Sequence, residues 1–263
     1  MTYRGRFAPS PTGPLHLGSL VAAAGSYLDA RGHGGQWLVR IEDVDQPRCV
    51  PGAADAILRT LERFGFEWDG PVLVQSHRFA AYEDALDRLR KSGAAFPCGC
   101  TRHDVCNCRD GLKGSAPRSW RIRAGEHPVE FMDRRLGRFS ECLLETSGDF
   151  ILLRADRCWA YQLAVVVDDE FQGVTHIVRG EDLLDSTARQ IHLQRALGYS
   201  TPSYLHLPLV KNGLGQKLSK QTYAGALNVA DPVPELEAAL RFLGLDPPAG
   251  LSVADLWRCV GAK

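Results

Sequence analysis

A chain of 263 residues that is 44% hydrophobic can fill one large α/β domain, or a domain carrying an insertion. Its 31 basic and 31 acidic side chains cancel, which argues against a general basic coat for nucleic acid. It holds no run of 18 apolar residues and no N-terminal signal segment, so a cytoplasmic enzyme without a membrane partner is expected.

Tyr3 to Ala8 reads as a short strand. The turn after it holds Pro9, Pro11 and Pro14, which fix φ, and Gly13, which permits a bend that other residues resist. Leu15 to Arg31 reads as a helix closed by Gly32 at C′. His16 and Gly18 then stand at a helix start, where free N–H groups and the positive dipole end attract phosphate. Gln36 to Ile41 is an apolar run delivering Glu42, Asp43 and Asp45 at its end. Ligands of open α/β sheets bind beyond such ends. Three acids there fit a cation or ammonium partner and an ordinary polar loop equally well.

Pro51 to Phe64 reads as an amphipathic helix stopped by Gly65, Val72 to Val74 as a strand, and Arg78 to Lys91 as a helix. Strand and helix alternate, which predicts a parallel sheet with right-handed crossovers. The alternation breaks at Phe96-Pro97. Cys98, Cys100, Cys106 and Cys108 then crowd together, as suits a structural zinc ion with four thiolates. Disulfides and free thiols are the alternatives, and His103 could replace one sulfur. Ser119 to Arg123, Val129 to Met132 and Phe150 to Leu153 are strand-like and suggest a β-rich insertion. Arg118, Arg121, Arg123, Arg134, Arg135 and Arg138 are candidates for local RNA contact, or simply a solvated face.

The alternation resumes at Trp159. Ala160 to Asp169 reads as a helix leading to a turn at Gly173, and Val174 to Val178 as a central strand ending in Arg179. Asp185 to Leu197 is a helix closed by Gly198, and Tyr204 to Val210 a further strand. Glycines 213 and 215 flank a basic loop with Lys217 and Lys220. Pro234 to Leu243 and Val253 to Val260 read as two short final helices.

The segment Pro9-Ser-Pro-Thr-Gly-Pro-Leu-His16-Leu-Gly18 resembles the HIGH signature of class I aminoacyl-tRNA synthetases, in the form used by the glutamyl and glutaminyl branch. Lys217-Leu-Ser-Lys220 resembles their KMSKS signature. Arg40 to Asp43, Tyr161 to Asp169 and Val178 to Leu183 are similar to glutamyl-tRNA synthetase segments, and the resemblance runs from residue 3 to about 245. It implies a Rossmann-type α/β catalytic domain with a parallel sheet, in two halves at 1–95 and 156–210. A zinc-bearing α+β insertion would occupy 96–155, and the lysine loop with a short helical region 211–263. Only residues 221–263 follow that loop, so no anticodon-binding domain is expected.

Together with the cysteine-rich insertion, this is similar to the truncated paralogues of the branch. They activate glutamate with ATP and magnesium without needing tRNA. They then place it on the queuosine base at the wobble position of tRNA(Asp). The resemblance implies catalytic roles for His16, Gly18 and Lys220, with Lys217 joining them around ATP. Glutamate needs a cation for each carboxylate and an anion for its ammonium, and arginine can grip a carboxylate with two parallel bonds. By resemblance Arg6, Ala8, Ser10, Glu42, Tyr161 and Arg179 form that pocket. The family often uses a tyrosine and a more distant cysteine as its last two zinc ligands. Here Cys108-Arg109 matches the final pair, and Cys106 is assigned the tyrosine's place. A monomer is expected. Three alternatives remain at this point: a fragment that charges the tRNA 3′ end, a non-catalytic zinc-bearing RNA-binding module, and a small-molecule adenylating ligase.

Overall fold

The structure is a computed structural model and describes residues 2–101, 106–211 and 225–262. Lys217, Lys220 and His103 therefore lie outside the described residues. The first sheet holds β1 (Arg4–Phe7), β2 (Gln36–Ile41) and β3 (Leu73–Val74), all parallel. Arg4 stands opposite Gln36 and Phe7 opposite Val39. Helices α1 (Leu17–Gly32) and α2 (Ala53–Arg63) make the two crossovers, as the alternating pattern predicts. α3 (Phe79–Lys91) follows.

The second sheet has the order β7 (Gly137–Glu141), β6 (Val129–Asp133), β10 (Ser203–Leu207), β9 (His176–Gly180). β9 and β10, joined through α5 (Leu184–Leu197), pair in parallel, as do β10 and β6. The Thr175 N–H donates to the Arg4 carbonyl at 2.9 Å and so sets β9 beside β1. On the far side of β10, Tyr204 pairs with Asp133 of β6 (Val129–Asp133), which forms an antiparallel hairpin with β7 (Gly137–Glu141). The third sheet, antiparallel, joins β4 (Ala95–Cys98), β5 (Ser119–Ile122) and β8 (Phe150–Leu153) beside the cysteine cluster.

Two readings differ from the outcome. Gly32 stays within α1; His33 follows it and the chain reverses at Gly34, with φ of +60°. Val129 to Met132, expected among the insertion's strands, instead borders β10, the same sheet as the later α/β elements. Its partner β7 was not foreseen, because Gly-Arg-Phe-Ser-Glu presents no continuous apolar face.

Two large cores result. One gathers under α1 and α2 with α6 (Val233–Phe242) and α7 (Val253–Cys259). Tyr27 meets Trp37 and Trp257 edge-on there, with ring centroids 5.1 and 5.0 Å apart. The other packs α3, α4 (Tyr161–Phe171) and α5 against β8.

Candidate active site

β1, β2, β9 and β10 end around one cavity of about 770 Å³. Its wall includes Arg6, Ala8, Ser10, His16, Gly18, Glu42, Tyr161 and Arg179. Every predicted site residue of the strand ends, the proline turn and α4 is thus brought to one place. Lys217 and Lys220 lie outside the described residues. The wall continues through Leu207, the last residue of β10, and through Pro208, Leu209 and Val210 beyond it.

Local chemistry explains the convergence. The turn after β1 reverses at Gly13, whose φ of +138° suits only glycine. The Glu42 N–H donates to the Pro9 carbonyl at 3.0 Å, which ties the end of β2 to that turn. His16 is the N-cap of α1, and its Nδ1 accepts the Ser19 N–H at 3.2 Å. An accepting Nδ1 carries no proton, so the ring proton lies on Nε2. One N–H expected to be open for phosphate, that of Ser19, is therefore engaged by His16 itself.

A buried ionic network backs the pocket. Asp169 accepts from Arg6 Nε at 3.1 Å and Arg6 Nη2 at 3.4 Å, and from Arg40 Nη2 at 2.8 Å. Arg40 also donates to Glu42 Oε1, from Nε at 3.4 Å and from Nη2 at 3.2 Å, and to Gln172 Oε1 at 2.7 Å. Two guanidinium groups thus face two carboxylates, and the set is neutral. Burial opposes the charge on Asp169, but Arg6 and Arg40 outweigh it and hold its carboxyl below the usual range. Burial wins at Glu42 and pushes its carboxyl up, in spite of Arg40 and Arg6. Burial, with Glu42 nearby, also raises the Tyr161 phenol, which stays a neutral hydroxyl.

Among the described residues Arg179 makes four hydrogen bonds. Its Nε donates to His206 Nε2 at 3.1 Å, Nη1 to Gln190 Oε1 at 2.7 Å, and Nη2 to Thr187 Oγ1 at 2.8 Å and to the Leu183 carbonyl at 3.3 Å. β9 and α5 together therefore aim this side chain.

Sequence reasoning assigned no role to Arg40, Asp169, Gln190 or His206. Arg40 carried a signal, since a charged residue inside the apolar run Gln36 to Ile41 must find a buried partner. Asp169, Gln190 and His206 sit on elements whose mutual placement no local pattern reveals. Asp43 is structural: its Oδ1 accepts the Ser76 N–H at 2.7 Å. Asp45 pairs with Arg154 at 3.2 Å on the cavity wall.

The four cysteines converge as their spacing predicts. The sulfur atoms of Cys98, Cys100, Cys106 and Cys108 all lie within 4.8 Å of one another. Cys98 and Cys106 are 3.6 Å apart, and Cys100 and Cys108 3.5 Å. These gaps are far too long for disulfide bonds, and all four thiols are free. A tetrahedral zinc ion with Zn–S bonds of about 2.3 Å separates its sulfurs by about 3.8 Å, so the donor set fits. The arginines proposed for RNA are largely engaged within the chain. Arg121 donates to the Asp149 carbonyl, Arg123 to Gly93 and Arg109 carbonyls, and Arg134, Arg135 and Arg138 pair with Asp29, Glu181 and Glu130.

The sequence matches the family model described as "tRNA synthetases class I (E and Q), catalytic domain" over residues 2–132 and 116–232. The chain belongs to the class I tRNA synthetases of this glutamate and glutamine branch. The synthetase is thus a ligase, with ATP as its implied co-substrate and magnesium as the implied accompanying ion. It is 56% identical to the glutamyl-Q tRNA(Asp) synthetase of Dechloromonas aromatica, over 98% of this chain and 93% of that one. It is also 56% identical to the protein of the same name from Aromatoleum aromaticum, over 97% and 85%. Among solved structures it resembles the glutamate tRNA ligase of Elizabethkingia meningosepticum, solved in complex with its amino acid. That match has a TM-score of 0.74 at 30% identity and covers 84% of this chain. The chain spans about half the length of that solved relative, 52%.

Proposed function

We propose that this synthetase activates glutamate with ATP and transfers it to the queuosine base at the wobble position of tRNA(Asp). One observation carries the first step: Arg6, Glu42, Tyr161 and Arg179 line the same cavity as His16 and Gly18 at the start of α1. In this reading the two arginines take the carboxylates, and Tyr161 adds a hydroxyl. Glu42, whose Oε1 is engaged by Arg40, offers Oε2 to the ammonium.

The α-carboxylate of glutamate attacks the α-phosphorus of ATP. One carboxylate oxygen bonds to phosphorus as the bond to the bridging oxygen breaks, and pyrophosphate leaves with that electron pair. The protein's part is positioning and charge stabilisation. His16, with its proton on Nε2, donates to the phosphates, and Gly18 lets the nucleotide approach the backbone. By resemblance Lys217 and Lys220 would bind the phosphates, and magnesium bound with ATP would supply further charge neutralisation.

The names of the relatives at 56% identity over nearly the whole chain support queuosine in tRNA(Asp) as the acceptor. Cys98, Cys100, Cys106 and Cys108 would hold a zinc ion that pins the loop between β4 and β5 and leaves no position open for catalysis. Residues 1–95 and 156–210 would then act as the two catalytic halves around the insertion at 96–155, whose β6 and β7 extend the sheet of the second half. Glutamate-dependent exchange of pyrophosphate into ATP, measured without tRNA, tests activation. Robust exchange with glutamate and none with glutamine or aspartate is the expected result. No exchange would leave a binding module in its place.

A further inference from the structure

Arg179 is held from behind by His206, which is not part of the cavity wall and is itself held by Asp133. Parallel pairing of β9 and β10 puts His206 opposite Arg179, and the Arg179 Nε donates to His206 Nε2 at 3.1 Å. An imidazole nitrogen accepts only when it is bare, so the ring proton belongs on Nδ1. Nδ1 lies 2.7 Å from Asp133 Oδ2.

Asp133 is itself fixed. Its Oδ2 also accepts the His206 N–H at 3.0 Å, while Oδ1 accepts the N–H groups of Arg135 at 3.0 Å and Leu136 at 2.8 Å. Both side chains are 0% exposed, so water cannot replace either partner. Arg135 donates to the His206 carbonyl, and Thr187 Oγ1 sits 3.2 Å from Nε2.

We infer that Asp133 and His206 are positioning residues for amino-acid binding: the carboxylate selects the Nδ1–H tautomer, and the bare Nε2 orients the Arg179 guanidinium toward a substrate carboxylate. The inference rests on the reading of Arg179 as a glutamate ligand. A pair that served only to join β6 to β10 would need no acceptor directed at a cavity arginine. Burial and the nearby Arg179 together lower the basicity of His206, which keeps the ring neutral. The same contacts give the mostly polar β6–β7 hairpin a reason to border β10, since Asp133 is the last residue of β6.

The test uses glutamate-dependent pyrophosphate exchange on the full chain, with melting followed by circular dichroism. The variants are His206→Leu, His206→Gln and Asp133→Asn, with Arg179→Ala as reference. His206→Leu removes the acceptor and is expected to raise the KM for glutamate about ten- to hundredfold, as loss of a hydrogen bond to a charged group does. The KM for ATP should stay unchanged. His206→Gln places an amide oxygen near the Nε2 position and should restore most of the glutamate affinity. Asp133→Asn should raise the same KM in the same direction.

A folded His206→Leu protein with wild-type KM for glutamate, beside an inactive Arg179→Ala, would overturn the positioning role and leave the glutamate site standing. Wild-type behaviour of Arg179→Ala would instead overturn the glutamate reading itself. If His206→Leu does not fold, a His206→Gln protein as impaired as Asp133→Asn would overturn the inference.

Discussion

Arg40 Nη2 and Asp169 Oδ1 meet at 2.8 Å in the interior, with side chains 0% and 5% exposed. The same oxygen accepts from Arg6, so a residue of the cavity wall and a fully buried arginine share one carboxylate. Removing one partner of such a pair strands a charge, at a cost of about 3–5 kcal/mol. Arg40→Met should therefore lower the unfolding free energy by about that amount, read from urea melts. A wild-type midpoint would show that the network is not stabilising the fold.

Arg6 has two tasks, one toward Asp169 and one toward the cavity. Arg6→Lys keeps the charge but loses the planar fork. It should raise the KM for glutamate by roughly tenfold or more while the melting temperature moves little. Arg6→Ala should lose both affinity and stability. Equal glutamate affinity in Arg6→Lys and wild type would argue against a carboxylate grip.

The cysteine cluster predicts about one zinc per chain, since four thiolates close the coordination shell of a single ion. Metal analysis of gently purified protein checks this, with Cys108→Ser as the comparison. The variant should lose the metal, and β4 and β5 should gain amide exchange. Wild-type protein without metal would remove the site.

Stability should fall on acidification. His176, His192 and His206 are all held below the usual histidine range, chiefly by burial. The unfolded chain takes up protons near pH 6.5 that the folded chain resists. The stabilisation is thus present above about pH 6.5 and is lost as the pH falls from there toward the depressed folded values. Urea midpoints measured from pH 8 to pH 5 should decline across that window. A flat profile would contradict the burial of these rings.

The final helices are part of the core. Trp257 is 0% exposed, meets Tyr27 edge-on, and donates from Nε1 to the Phe64 carbonyl at 2.8 Å. Trp257→Ala should cost about 3–5 kcal/mol, measured by denaturant unfolding. A cost under about 1 kcal/mol would mean that α7 is not integral to the domain.

The helices were legible because their apolar spacing and their stop glycines are local features; Gly198 caps α5 and Gly65 follows the cap of α2, both at positive φ. The pocket residues at strand ends were legible for the same reason, each lying in a motif that can be read by itself. The Asp169–Arg40 pair was not, because its members are 129 positions apart and charge gives no clue to its partner. β6 was legible as a strand, but not its place beside β10, which depends on Asp133 reaching His206, a contact no periodicity encodes. The C′ residue of α1 was misplaced by two positions, since Gly32 and Gly34 are equally plausible until the backbone is seen.

Transfer of labelled glutamate to tRNA(Asp) tests the central claim most directly. The tRNA should be prepared with and without queuosine, and the 3′ end blocked by periodate in a parallel sample that is protected at the base. Label is expected only on the queuosine-bearing tRNA, attached at the wobble base. Label at the 3′ end, independent of queuosine, would contradict the claim.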